Sequence, residues 1–525
     1  MSSSFHCRLF MAVIFAMSQV AYADLHEQID QAISAKAGGE VAGPATDEEF
    51  VRRLYLDLAG IIPTAEDVTS FVADSNPSKR SALIDRLLAA PQYGRRMQEA
   101  MTAILLERRT GSVPDKEWHK YLTDSFNANK PWNVLTRELL FADDDEGLKP
   151  ARKFLGVAGR EKAPHQMTQD IARLFLGRSI MCAQCHDHPN IGDYTQAEYF
   201  GLFSYLQDKP EQAKSEFESV FVKGKKETFP RLPGKEQVTI PVFTKEQASE
   251  AKAFRPRLLL ARDLPTSDNE HFNRNIVNRL WFLMMGRGLV QPLDLHHSAN
   301  PPSHPELLKL LADDFATHQY DVKYLIRQIA LSKAYQRTSQ IPAGADSRQF
   351  SPETYRLFNP KPLSPEQLAW STMRATGNLV ALEAAPVPEK STFGWYNYIN
   401  GRVANPPGNI PDVLDLFVGV FGNPPGEAEV DFTPSMGQAL FLLNERLLQH
   451  WLEPRNGNLI EQVKSKAESQ MIVEAMYLSI YSRRPTEVEQ KVGIEFLATH
   501  KARGDLALAD LAWALIASDE FRMNH

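Results

Sequence analysis

Cysteine is almost missing from this chain: there are three in 525 residues, and Cys7 lies in the leading segment, which leaves Cys182 and Cys185. A disulfide-framed scaffold needs several spaced pairs, so that class is excluded. Long apolar runs are missing as well. The run Leu9 to Met17 is too short for a hydrocarbon core, which takes roughly 20 residues, and no second run of that kind follows, so no membrane span is expected. Charge is not concentrated either. The 58 Lys and Arg are interspersed with 65 Asp and Glu, for a formal net charge of −7, and no basic tract offers a nucleic-acid footprint. P-loop, GxGxxG and HExxH strings and a Ser-His-Asp order are all absent, so no catalytic constellation is recognisable. No repeat of 20–50 residues is visible.

The leading segment sets the expected compartment. Arg8, the apolar run and then Ala21-Tyr22-Ala23 make the small-x-small pattern that a signal peptidase cuts, with residues 1–23 removed before Asp24. Cys7 precedes the run and so makes no lipoprotein signal. The expectation is an exported chain, periplasmic, at the cell surface or secreted.

The two remaining cysteines form Cys182-Ala183-Gln184-Cys185-His186. Random scatter of these residue types gives such a string roughly 2 times in 10,000. Two thiols spaced by two residues reach the vinyl groups on one edge of a porphyrin, and the next residue presents an imidazole to the iron. The expected cofactor is haem c, held by Cys182 and Cys185 with His186 as the proximal iron ligand. The sixth ligand is less defined, because no methionine stands between Cys182 and Met284. His304 is the distal candidate, with His165, Met167, His296, His297 and Met436 also open. His188 lies within about 7 Å of chain reach from His186, too close to pass round the macrocycle. Other readings of the pair stay open. An exported CxxC also suits a disulfide, zinc held by Cys182, Cys185, His186 and His188, or a redox dithiol.

Organisation along the chain is helical. Asp47 to Met97 gives successive apolar stripes broken at Gly60, Pro63 and Pro91, followed by Trp118 to Phe126 and Leu135 to Phe141. Asp143 to Glu146 reads as a solvated loop. Met167 to Ile180 reads as a helix with the CxxCH string at its end, and Tyr199 to Leu206 as another. Residues 209–267, rich in Lys, Glu and Pro, read as a linker or small β insertion with a strand-like piece at Val238 to Phe243. Beyond it come Asn275 to Met285, a capping box at Ser303-His304-Pro305-Glu306, Val322 to Ile329, and a helix opened by Ser364. Pro386 to Pro425 reads as a surface excursion, and Gln438 to Leu452, Ile472 to Tyr481 and Leu506 to Phe521 complete the helices. The expected fold is mainly α: a signal peptide over 1–23, a CxxCH-bearing helical domain over 24–208, a Lys/Pro-rich join over 209–267 and a second helical domain over 268–525. Arg52-Arg53, Arg95-Arg96 and Arg483-Arg484 are read as solvated faces or ion-pair partners. Trp395-Tyr396-Asn397-Tyr398 suits either sugar stacking or packing of its loop onto the core.

Four segments resemble a known pair of domains. Glu49 to Gly60 with Ile62-Pro63-Thr64, and Cys182 to Pro189 with Tyr194-Thr195-Gln196 and Tyr199-Phe200-Gly201-Leu202, resemble a planctomycete cytochrome-like domain of unknown function (family 1549). Asn278-Arg279-Leu280-Trp281, Gly286 to Val290, Asn300 to Leu308 and the C-terminal Leu511 to Ile516 are similar to its companion domain, family 1553. The chain resembles a short form, lacking the separate N-terminal cytochrome c domain with its own CxxCH. Asn190 stands where relatives carry a bulky apolar residue. The haem reading of the CxxCH string gives the expected function, electron transfer or part of an oxidative system with a redox partner protein; the resemblance implies a polysaccharide context and no particular reaction. The rival is a non-catalytic structural or carbohydrate-associated binding protein whose CxxCH is a disulfide or metal staple.

Overall fold

A computed structural model describes residues 24–109, 116–142, 145–157, 163–206, 232–234, 256–342, 344–388, 393–402, 405–427, 438, 441 and 446–525. Residues 1–23, the strand-like piece at 238–243 and Met436 lie outside them. The described chain is essentially all helical, and its one sheet pairs Lys361–Pro362 antiparallel with Met523–Asn524, Lys361 opposite Asn524. No helix among the described residues is long and apolar enough to cross a membrane.

Helix limits follow local chemistry. Thr46 accepts the Glu49 amide at 3.1 Å and opens Asp47–Ala59. Thr64 and Ser364 form capping boxes with Asp67 and Gln367, opening Ala65–Ala73 and Pro365–Ala375. Proline occupies the first turn of Pro91–Leu106, Pro164–Leu176, Pro305–Thr317 and Pro365–Ala375, where its missing N–H costs nothing. Buried apolar side chains from Leu25 to Phe521 then form one continuous core, to which both halves of the sequence contribute. Glu270–Met285 carries much of the join, packing on Pro164–Leu176 on one side and on Pro305–Thr317 on the other.

Five expectations are corrected. The helix expected to run to Ile180 stops at Leu176, and the CxxCH string lies beyond it in a separate turn, Met181–Gln184. Ser303 is not a cap: the helix starts at Pro305, His304 precedes it without a side-chain cap, and Ser303 Oγ lies 3.2 Å from His304 Nδ1 instead. Within the expected solvated loop, Glu146 opens a 3₁₀ helix, Glu146–Arg152, because Asp145 accepts the Gly147 amide at 2.7 Å. The expected surface excursion contains Ile410–Phe421, whose Val413, Leu416 and Phe417 are buried and which packs on Pro365–Ala375. Its prolines and glycines bound helices rather than loops. Trp395 lies so close to this helix that a Cβ at Gly419 would come within 2.2 Å of its ring, and Tyr398 is buried, so the aromatic run packs onto the core apart from exposed Tyr396.

The fifth correction concerns Arg52, which is neither solvated nor ion-paired, whereas Arg53 holds an expected ion pair, with Glu49, in a buried setting. Arg52 and Arg53 are both fully buried. Arg52 donates to the carbonyls of Ile480 (3.1 Å) and Phe521 (3.0 Å), and Arg53 to those of Tyr335 (2.5 Å) and Arg337 (2.9 Å) and to Glu49 (2.6 Å). Adjacent helix positions point to different sides, so the pair ties one helix to three distant segments. Arg483 does hold ion pairs, with Glu489 at 2.8 Å and Glu520 at 2.7 Å. In the interval expected to be a linker, the helix Pro256–Asp263 buries Leu260 and packs on Trp132–Leu140.

Candidate functional site

The segment bearing the CxxCH string begins at Gly177, which ends Pro164–Leu176 with φ +68°. A Cβ there would come within 2.8 Å of the His296 ring and 3.0 Å of Asn275 Oδ1, so glycine is required twice, for conformation and for space. The free carbonyls at this helix end are taken by the other half of the chain. Asn275 donates to Leu174 O at 2.7 Å, Arg279 to Arg173 O at 2.9 Å, and the His296 amide to Gly177 O at 2.9 Å.

Arg178, 1% exposed, is the next anchor. Its guanidinium pairs with Glu198 at 2.7 Å, bonds His271 Nε2 at 2.8 Å and the Asp193 carbonyl, and lies 4.8 Å from the Tyr194 ring centre. Burial, reinforced by the Arg178 charge, pushes His271 down to about 3, so it stays neutral and accepts from Arg178. Asp193 takes the Ser298 hydroxyl at 2.6 Å and amide at 3.1 Å, which holds its carboxyl below the usual range. Tyr194 stands between His188 (6.1 Å, edge on) and His297 (5.3 Å, edge on). Residues 178–198 are thus pinned against 271–298.

On that base the CxxCH string makes one tight turn. Cys182 O accepts the amides of Cys185 (3.3 Å) and His186 (3.4 Å). Cys182, Cys185 and His186 therefore occupy positions i, i+3 and i+4, which share a face. That face is open: both thiols are free and exposed, His186 is exposed and so is Met181 beside them, while Ala183 on the opposite side is fully buried.

The two histidines that follow differ in tautomer. His186 Nδ1 lies 2.8 Å from the Asp187 carbonyl, which only accepts, so Nδ1 carries the proton and Nε2 keeps its lone pair. His188 Nδ1 receives the amides of Asn190 (3.2 Å) and Ile191 (3.1 Å), so its proton sits on Nε2 and no lone pair faces outward. Gln196 N donates to Asp187 Oδ1 at 2.8 Å and His188 N to Tyr194 O at 2.8 Å, fixing both rings. Among the described residues no three His, Cys, Asp or Glu side chains converge closely enough to hold a metal ion, so Cys182, Cys185, His186 and His188 are not gathered as a preformed zinc set.

The distal candidates are scattered. His304 is buried against Tyr355 (ring centres 5.6 Å), burial pulls it down to about 4, and it contacts none of residues 182–188. His165 bonds the Tyr199 hydroxyl at 2.7 Å and stacks on Phe203, and Met167 is buried. Burial pushes His296 down to about 3. His297 is joined to the segment after the turn through Tyr194, its ring edge-on at 5.3 Å. The anchoring set Arg178, Asp193, Tyr194, Glu198, His271 and Ser298 carries no periodic signal in the sequence. Its one legible trace is a charged residue, Arg178, directly after a helix-ending glycine.

An all-helical chain whose two halves share one core and which presents a CxxCH turn on its surface defines the class. A family described as a protein of unknown function (PSCyt2, DUF1549) matches residues 28–211, and a second protein of unknown function (PSD1, DUF1553) matches 256–497. The chain belongs to this paired-domain family, as its cysteine signature and the Asn278-Arg279-Leu280-Trp281 segment led us to expect. No curated protein and no solved structure matches it significantly.

Proposed function

We propose that the chain is an exported monohaem c-type protein acting in electron transfer, or as the electron-accepting part of an oxidative system. The observation that carries this reading is the shared open face: two free thiols and an imidazole whose Nε2 lone pair is unused, at positions i, i+3 and i+4. Cys182 and Cys185 would each add S–H across a vinyl C=C, sulfur bonding one carbon and hydrogen the other, with nothing released. His186 Nε2 would ligate the iron, its ring oriented by the bond from Nδ1 to the Asp187 carbonyl. When bound, haem supplies a one-electron couple. Exposed Met181 gives the turn an apolar rim.

The test is expression of the full chain with a signal-directed c-type maturation system. The expected product is red, has a Soret band and keeps its colour on a denaturing gel, whereas the Cys182→Ala/Cys185→Ala variant is colourless. A colourless parent whose thiols react freely, or whose pair is a reducible disulfide, sinks the haem reading and leaves the structural or carbohydrate-associated alternative.

A further inference from the structure

A cavity of about 400 Å³ lies away from the CxxCH turn, where Pro91–Leu106, Pro164–Leu176, Glu270–Met285 and residues 361–368 meet. Its wall is largely apolar, with Ile104, Leu283 and Phe421 among its residues, and several cations reach it. All but one of those cations are neutralised. Lys361 pairs with Asp57 at 2.7 Å, Arg173 with Asp170 at 3.2 Å and Asp294 at 3.3 Å, Arg279 with Asp294, and Arg522 with Asp519.

Arg96 is the exception. It is 7% exposed and lines the cavity, yet it makes no hydrogen bond and no ion pair among the described residues. Arginine does not shed its charge on burial, and a buried cation with no direct partner is costly; only through-space attraction to Glu99 and Glu366 offsets that cost here. Four carboxylates share the cavity with it, Glu99, Glu107, Glu366 and Asp519, and each is committed elsewhere. Glu107 pairs with Arg109 at 3.0 Å and with Arg173, and Asp519 with Arg522. Glu366 pairs with Arg108 at 2.5 Å. Glu99 accepts the Trp370 Nε1 proton at 2.7 Å on one oxygen, and its other oxygen, Oε2, is buried without a partner. Burial holds the Glu99 carboxyl above its usual range.

We propose that this cavity binds a small organic monocarboxylate with an apolar body. The ligand's carboxylate pairs with the Arg96 guanidinium and its body lies on the apolar wall. Bidentate carboxylate recognition is what an arginine fork does best. A single negative charge is favoured over a dianion such as phosphate, because Glu99 and Glu366 stand close enough to repel a second one. The volume is in the range that holds small ligands. The proposal is independent of the haem reading.

The test uses the purified full chain titrated calorimetrically with 3-phenylpropionate, with its neutral amide 3-phenylpropionamide, and with inorganic phosphate. Expected are saturable binding of the carboxylate and at least tenfold weaker binding of the amide and of phosphate. Arg96→Met should lose at least tenfold in affinity yet melt no lower than the parent, since an unpaired charge is removed. Ile104→Trp, which fills the cavity from its apolar side, should abolish binding while the chain stays folded. No binding of 3-phenylpropionate up to about 10 mM, equal binding of the amide, or undiminished binding in either variant would overturn the proposal.

Discussion

His186 donates its Nδ1 proton to the carbonyl of Asp187 over 2.8 Å, and that bond decides which of two neighbouring histidines has a nitrogen free for a metal. His188, two residues on, has the opposite tautomer because two backbone amides point at its Nδ1. His186→Ala in the matured protein is therefore expected to lose the proximal ligand and shift the Soret band. His188→Ala should leave the band in place and lower stability by about 1–2 kcal/mol, through two orphaned amides. Absorption spectra and urea melts of the two variants check this.

A staple and a cofactor anchor differ in what the bare chain owes them. Both thiols are free and exposed, so in protein made without maturation machinery Cys182→Ala/Cys185→Ala should change unfolding free energy by no more than about 0.5 kcal/mol. A disulfide or zinc staple would instead cost about 2–5 kcal/mol on removal. Chemical denaturation under reducing and non-reducing conditions separates the two.

Gly177→Ala tests the foundation of the turn. Left-handed backbone and a 2.8 Å approach to His296 act together, and the expected loss is about 2–4 kcal/mol. The measurement is a urea melt of the variant against the parent. A loss under about 0.5 kcal/mol would contradict the packing described here.

His271 and His296 make stability depend on pH. Burial, reinforced by nearby arginines, brings both to about 3 against an ordinary 6.5. The fold keeps them neutral, whereas the unfolded chain takes up protons as pH drops below about 6.5. Their contribution is complete above that value and is lost as pH falls from there toward about 3, at up to about 1.4 kcal/mol per pH unit for each group. Urea midpoints measured from pH 7.5 to 5 should fall. His271→Asn, whose side-chain oxygen can still accept from Arg178, should make the slope shallower.

Helix positions were legible in the sequence because caps and prolines act locally: Thr46, Thr64, Ser364 and the first-turn prolines sit where the helices begin. Failures came where distant partners decide. Ser303 resembles a cap in sequence, yet its hydroxyl faces the His304 ring. Arg52 and Arg53 look like surface charge until carbonyls of Ile480, Phe521, Tyr335 and Arg337 arrive from 282 to 469 positions away. Pro386 to Pro425 looks like a loop by composition, although Val413, Leu416 and Phe417 keep helical spacing inside it. For the site, Cys182, Cys185 and His186 are legible from spacing alone. The tautomers of His186 and His188 depend on backbone groups whose directions only the folded turn supplies.

The most direct measurement is the intact mass of the purified polypeptide after export and maturation, read under denaturing conditions. Addition of both thiols across vinyl groups predicts the mass of the chain from Asp24 onward plus that of one whole haem, with the Cys182→Ala/Cys185→Ala variant carrying none. A parent that weighs only what its amino acids weigh would contradict the account.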